Sequence, residues 1–99
     1  MTARGSTDPL LLILVSLAAG PKHGHAILLD VEAFAGVRLG PGTLYGAIGR
    51  LEAEGLISAE EPEGRRRPYR LTPAGRDLLT GRLAMLSGTV RAGLERVGT

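Results

Sequence analysis

The 99 residues, 43% of them apolar, suffice for one folded unit and leave no room for a second core. Phe34, Tyr45 and Tyr69 are the only aromatic residues, so the core must be aliphatic, and the lack of cysteine excludes disulfides, zinc fingers, iron–sulfur clusters and thiol catalysis. The net charge of +2 is small, but eleven of the twelve basic residues are arginine; that bias suits bidentate contact with phosphate and guanine edges and equally follows from a G+C-rich genome.

Residues 1–7 are small and polar and read as a flexible N-terminal arm. Asp8-Pro9 is a helix start: the carboxylate can accept from an orphan N–H, and proline fits the first helical position because no donor is needed there. The helix then runs from Leu10 to Ala19 and stops at Gly20-Pro21. This apolar run is too short to span a bilayer. It has the shape of a secretory leader, but Asp8 stands where such a leader is basic. Apolar residues go round the helix, with Ser16 the one polar break, so it needs cover on two sides. A second subunit is the expected second cover, which places Leu11, Leu14 and Val15 in a dimer interface.

Lys22-His23-Gly24-His25 opens a second helix to Ala35, with Ile27, Leu28, Val31 and Phe34 at helical spacing and Gly36 ending it. Gly40-Pro41 leads a third helix, Thr43 to Glu54, closed by Gly55 and burying Leu44, Ala47, Ile48 and Leu51. Three short helices in this order predict a helix-turn-helix whose third helix reads the major groove. Leu56–Glu60 reads as a strand, Glu61-Pro62-Glu63-Gly64 as a turn, and Arg65–Leu71 as the returning strand. The two-residue period turns Tyr69 and Leu71 inward and Arg66 and Arg70 outward. Pro68 lacks a ladder donor, which predicts an edge strand at that point.

Thr72-Pro73 repeats the cap-plus-proline signal and opens a last helix to Val97. Leu79, Leu83, Leu86, Val90 and Val97 recur by fours and threes, with Gly93 in the remaining place, as in a coiled-coil seam. Such a stripe needs a partner, and a two-fold copy of the chain supplies one. The predicted fold is mainly α with a small β-hairpin: a winged helix-turn-helix over residues 8–72 and a C-terminal dimerisation helix over 73–99.

The candidate binding residues gather around the hairpin and the third helix. Arg65, Arg66, Arg67 and Arg70 lie within six positions, after a stretch carrying Glu52, Glu54, Glu60, Glu61 and Glu63. This change of sign suits a face aimed at a polyanion, although the glutamates could also balance a solvated turn. Thr43 and Tyr45, at the start of the third helix, can reach phosphates or base edges, while Tyr45 can equally anchor the helix with a half-buried ring. Arg50 either meets a phosphate or pairs with Glu54 one turn on. Lys22 and His23 open a helix whose N-terminus attracts anions, and His23 also suits a structural hydrogen bond.

Other chemistry has little support. His23-x-His25 lacks a third metal ligand nearby, Gly40-Pro41-Gly42-Thr43 lacks the lysine of a nucleotide-binding loop, and Asp30 and Glu32 point to opposite sides of a helix. No catalytic set, metal or cofactor is expected.

Gly42-Thr43-Leu44-Tyr45, followed by Arg50-Leu51-Glu52-Ala53-Glu54-Gly55-Leu56-Ile57, resembles the PadR family of transcriptional regulators. Gly20-Pro21-Lys22-His23-Gly24 is similar to the family's lead-in to helix 2, and the run Gly64 to Gly75 to its wing, second strand and the start of helix 4. The ordered set spans roughly residues 9 to 82. The chain departs from the family with Gly40 at the cap, Gly46 after Tyr45, and Gly49 where a basic residue is frequent. The resemblance implies a cytoplasmic dimer that binds palindromic operator double-stranded DNA, usually as a repressor, with a small-molecule effector in many members and no membrane association. The alternative, prompted by Gly46 and Gly49, is a winged-helix adaptor or small-molecule sensor with little DNA reading.

Overall fold

A computed structural model describes residues 8–98, so the predicted N-terminal arm lies outside the described residues. Four helices, α1 (Pro9–Ala18), α2 (Gly24–Ala35), α3 (Pro41–Ala53) and α4 (Pro73–Gly98), are joined by three short strands, β1 (Lys22–His23), β2 (Ile57–Ala59) and β3 (Pro68–Leu71). The fold is a winged helix-turn-helix extended by a long C-terminal helix, as the spacing predicts.

The helix boundaries follow local chemistry. Asp8 caps α1, its Oδ1 accepting from the Leu10 N–H at 2.9 Å, with proline in the first turn. The end of α3 is a Schellman motif: Gly55 turns left-handed at φ 75°, the Leu56 N–H donates to the Leu51 carbonyl, and the Gly55 N–H donates to that of Glu52. Thr72 then stitches α4 to that turn. Its hydroxyl donates to the Gly55 carbonyl at 2.7 Å and accepts from the Gly75 N–H at 3.0 Å.

The core is aliphatic. Ile13, Leu17, Ile27, Val31, Leu44, Leu51 and Ile57 are essentially inaccessible, with Leu12, Leu14, Ile48, Leu71 and Leu79 packed around them. Helix α1 runs through the middle, meeting α2, α3, α4 and β3. The chain itself therefore supplies most of the cover that the sequence assigns to a second subunit. Leu14, expected at a dimer interface, is buried in this core, and so is Leu79; neither has surface left for a partner. Leu11 and Val15 remain partly exposed.

Three further expectations are corrected. Phe34 is 46% exposed on the outer face of α2 rather than in the core. Leu39, in the connection after the left-handed Gly36, is buried instead. The second helix begins at Gly24, because Lys22 and His23 form a short strand. That strand changes the topology: the sheet order is β1-β3-β2, so β3 is central and not an edge. Lys22 lies opposite Tyr69 and His23 opposite Pro68, while β2 pairs through Ile57–Leu71, Ser58–Arg70 and Ala59–Tyr69. Pro68 is tolerated because it is the first residue of β3. Its carbonyl accepts from the Glu60 N–H at 2.8 Å, but the return bond cannot form without a proline N–H, and the ladder ends there.

Candidate nucleic-acid interface

The wing is a tight hairpin beyond the paired strands. Glu63 and Arg66 exchange both backbone hydrogen bonds, at 2.7 and 3.1 Å, around a two-residue loop of Gly64 and Arg65. Gly64 sits at φ 65°, the conformation that favours glycine first in such loops. The tip is thus two residues later than the sequence suggests, and it carries Arg65 while Arg66 and Arg67 follow directly.

Charge pairing separates the arginines. Arg38 meets Glu32 at 2.8 Å, a contact that raises its pKa through the hydrogen bond and the opposite charge. Arg50 meets Glu54 at 3.0 Å, and Arg70 lies 3.9 Å from Glu60. Arg65, Arg66 and Arg67 have no carboxylate partner among the described residues and are exposed. Three adjacent unneutralised guanidinium groups form a concentrated positive field, the electrostatic condition for holding a polyanion.

These arginines border a cleft of about 240 Å³ that also takes in His23, Gly24, His25, Tyr45 and Tyr69. The wing, the start of α2 and the first turns of α3 therefore converge on one basic concavity. Gly24 makes that convergence possible. A Cβ there would stand 2.6 Å from the Tyr45 hydroxyl, so only glycine lets the phenol ring lie against the start of α2. Tyr45 keeps 54% of its surface accessible while packed in this way.

The model of the Transcriptional regulator PadR-like family matches residues 13–81, from α1 through the wing into α4. The chain belongs to that family. It is 56% identical over 73 residues to a transcriptional regulator of Mycobacterium tuberculosis, covering 71% of this chain and 67% of that protein. It is 51% identical over 88 residues to a 37.1 kDa protein of a Streptomyces fradiae transposon; the match takes in 86% of this chain but spans only about a quarter, 26%, of that longer protein. Its fold is similar to that of a PadR family transcription regulator from Clostridium difficile, with a TM-score of 0.79 at 23% identity, covering 92% of this chain and 98% of that one.

Within this PadR-like architecture the predicted site residues divide. Tyr45, His23, Arg65, Arg66 and Arg67 line the cleft together. Thr43 is exposed in the first turn of α3, two residues before Tyr45 but not in the cleft wall. Arg70 is on the outward face of β3, leaning to Glu60. Arg50 sits two turns along α3, engaged with Glu54 and adjoining Asp8 and Arg82 on the side away from the wing. Of its two readings, the ion pair is the one observed.

Lys22 departs most from expectation. Its ammonium turns inward, donating to the Ser16 carbonyl at 2.5 Å and lying 3.9 Å from Asp30. Ser16, itself 1% exposed, donates its hydroxyl to Asp30 at 2.7 Å. The one polar break in α1 is thus the centre of a lock joining α1, β1 and α2, and Lys22 is a structural cation rather than a cleft residue.

Gly24, His25 and Tyr69 are cleft residues that the sequence reading did not assign. The available signal was a glycine directly after His23, at the point where a ring must approach a helix. The strand pairing that brings residues 22–25 beside the wing has no local signature, because two residues are too few to show a period.

Proposed function

We propose that this chain is a cytoplasmic transcriptional repressor that binds palindromic operator DNA as a homodimer and releases it in response to a small-molecule effector. The observation that carries the reading is the trio Arg65, Arg66 and Arg67, without a carboxylate partner among the described residues and gathered with Tyr45 and His23 around a cleft at the start of α3. In a winged helix, α3 enters the major groove while the wing holds flanking phosphates. Thr43 and Tyr45 then stand nearest the base edges, and the arginines supply affinity without regard to sequence.

Helix α4 supports the dimer. Leu83, Leu86, Val90, Leu94 and Val97 are between 43% and 87% exposed along its outer half. Such a run of large apolar side chains calls for cover. A second copy meeting it along this seam sets two α3 helices about 34–36 Å apart, one turn of DNA. An effector at the seam would act by tilting the two heads and changing that spacing.

The test is fluorescence anisotropy with duplex from upstream of the chain's own gene, read across a salt series. Replacing Arg65, Arg66 and Arg67 by alanine should weaken binding to every duplex and flatten the slope of log K against log salt by about 2.7 per protomer, at about 0.9 per phosphate contact. Thr43→Ala should instead reduce preference for the upstream duplex over a scrambled one. Sedimentation should show a dimer that Leu86→Lys converts to monomer. Binding indifferent to salt and sequence, together with a stable protein partner, would establish the adaptor reading in place of this one.

A further inference from the structure

His23 is asked to do two incompatible things. Its Nδ1 receives the Ala26 N–H at 3.4 Å, as the N-cap of α2. Its Nε2 lies 3.5 Å from Nη1 of Arg66. Both neighbours are pure donors, and a neutral imidazole has a single acceptor nitrogen. If Nδ1 accepts from the helix, Nε2 carries the proton and faces a guanidinium with its own N–H. A protonated ring has no acceptor at all. While Nδ1 accepts from the helix, two donors, one from β1 and one from the wing, are held together at the edge of the cleft with no acceptor bonded to them among the described residues; the other neutral tautomer, with Nε2 accepting from Arg66, gives up the cap of α2. Groups so placed are satisfied by a shared anionic oxygen, and hydrogen bonds from charged donors to such oxygens are the stronger kind.

We propose that His23 Nε2–H and the Arg66 guanidinium hold one oxygen of a single DNA backbone phosphate, so that His23 is a direct phosphate contact joining the helix-turn-helix to the wing. The inference rests on the DNA-binding reading above and adds to it a specific two-residue site. The short strand β1 gives the site its purpose. It fixes His23 opposite Pro68, so the phosphate is gripped from β1 and from the hairpin beyond β3, and the wing is set in register with α2 as DNA binds. Arg65 and Arg67 border the same cleft and remain available for neighbouring phosphates.

The experiment is a double-mutant cycle in the full chain at pH 8, using the upstream duplex and the same salt series. His23→Ser retains a capping oxygen for α2 but cannot reach Arg66; His23→Thr, which also caps, is the second variant should the first melt early by circular dichroism. His23→Ser is expected to weaken binding about tenfold with an unchanged salt slope, because the Arg66 guanidinium remains to neutralise the phosphate. Arg66→Ala should weaken binding and lower the slope by about 0.9. The double variant should bind more tightly than the product of the two losses, since each donor strengthens the other's hold on the shared oxygen. Wild-type affinity in a folded His23→Ser or His23→Thr variant overturns the clamp, and so do losses that multiply. Either result leaves the DNA-binding reading standing if the triple arginine variant still flattens the slope, whereas a wild-type protein that ignores DNA removes both.

Discussion

Gly75→Ala should destabilise the fold although alanine is the better helix former. Gly75 lies in the first turn of α4, buried against the turn that follows α3. A Cβ there would stand 2.0 Å from the Leu56 backbone carbonyl oxygen and 2.9 Å from Leu71 Cδ1. Ordinary contact begins at about 3.4 Å, so the helix start and the α3–β2 turn must separate by about 1.4 Å. The obstacle is backbone, which cannot swing aside as a side-chain end can. Separation also stretches the Thr72 hydroxyl, which bonds the Gly55 carbonyl on one side and the Gly75 N–H on the other. Overpacking of this kind costs about 1–3 kcal/mol, and a weakened cap adds about 1 kcal/mol. Against this, alanine gains at most about 1 kcal/mol of helix propensity. The net loss of about 1–3 kcal/mol corresponds to a fall in Tm on the order of 5–20 °C for a chain of this size. Gly81→Ala is the control: it is in the same helix with nothing within 4 Å of the added carbon, and it should hold or raise Tm. Thermal and urea unfolding at one fixed protein concentration measure both variants. A Gly75→Ala protein as stable as the Gly81→Ala control would refute the close-approach reasoning.

Gly24→Ala meets a different obstacle, the Tyr45 ring, whose exposed end can lift away. It should cost about 1 kcal/mol or less in urea unfolding while reducing discrimination between the upstream and a scrambled duplex by anisotropy. Asp8→Ala removes the oxygen that caps α1; a loss of about 0.5–2 kcal/mol is expected, seen as a lower urea midpoint with an unchanged m-value. Lys22→Met should leave the salt slope of DNA binding unchanged, because the ammonium is turned toward Ser16 and Asp30 and not into the cleft. A slope reduced by about 0.9 would restore Lys22 as a phosphate contact.

Much of this architecture is written in short-range signals. Asp8-Pro9, Gly36, Gly55 and Thr72-Pro73 each mark a helix boundary by an effect acting within one turn, and the observed helices start and stop beside them. The stripe Leu44, Ile48 and Leu51 is buried as its spacing requires, because a helix face must be covered whatever covers it. The arginine run at the wing was legible for the same reason: charge density is local, and among the described residues no carboxylate pairs with Arg65, Arg66 or Arg67.

What the sequence could not decide was which surface covers which. Leu14 and Leu79 have the same chemistry as Leu83 and Leu86, yet the first two are enclosed by their own chain and the last two are exposed. Leu14 is enclosed because α1 is surrounded by the other elements, and Leu79 parts from Leu83 and Leu86 because α4 runs on past the body of the fold. Lys22 and Arg66 are both cations near the start of a recognition unit. The tertiary structure turned one inward, because Ser16 of α1 and Asp30 of α2 met it there, and left the other facing His23 just beyond a strand pair two residues long. Periodicity and capping are properties of a segment and can be read from it. The partner of a charge, or of an apolar face, depends on residues far away in the chain, and that pairing exists only once the helices have packed.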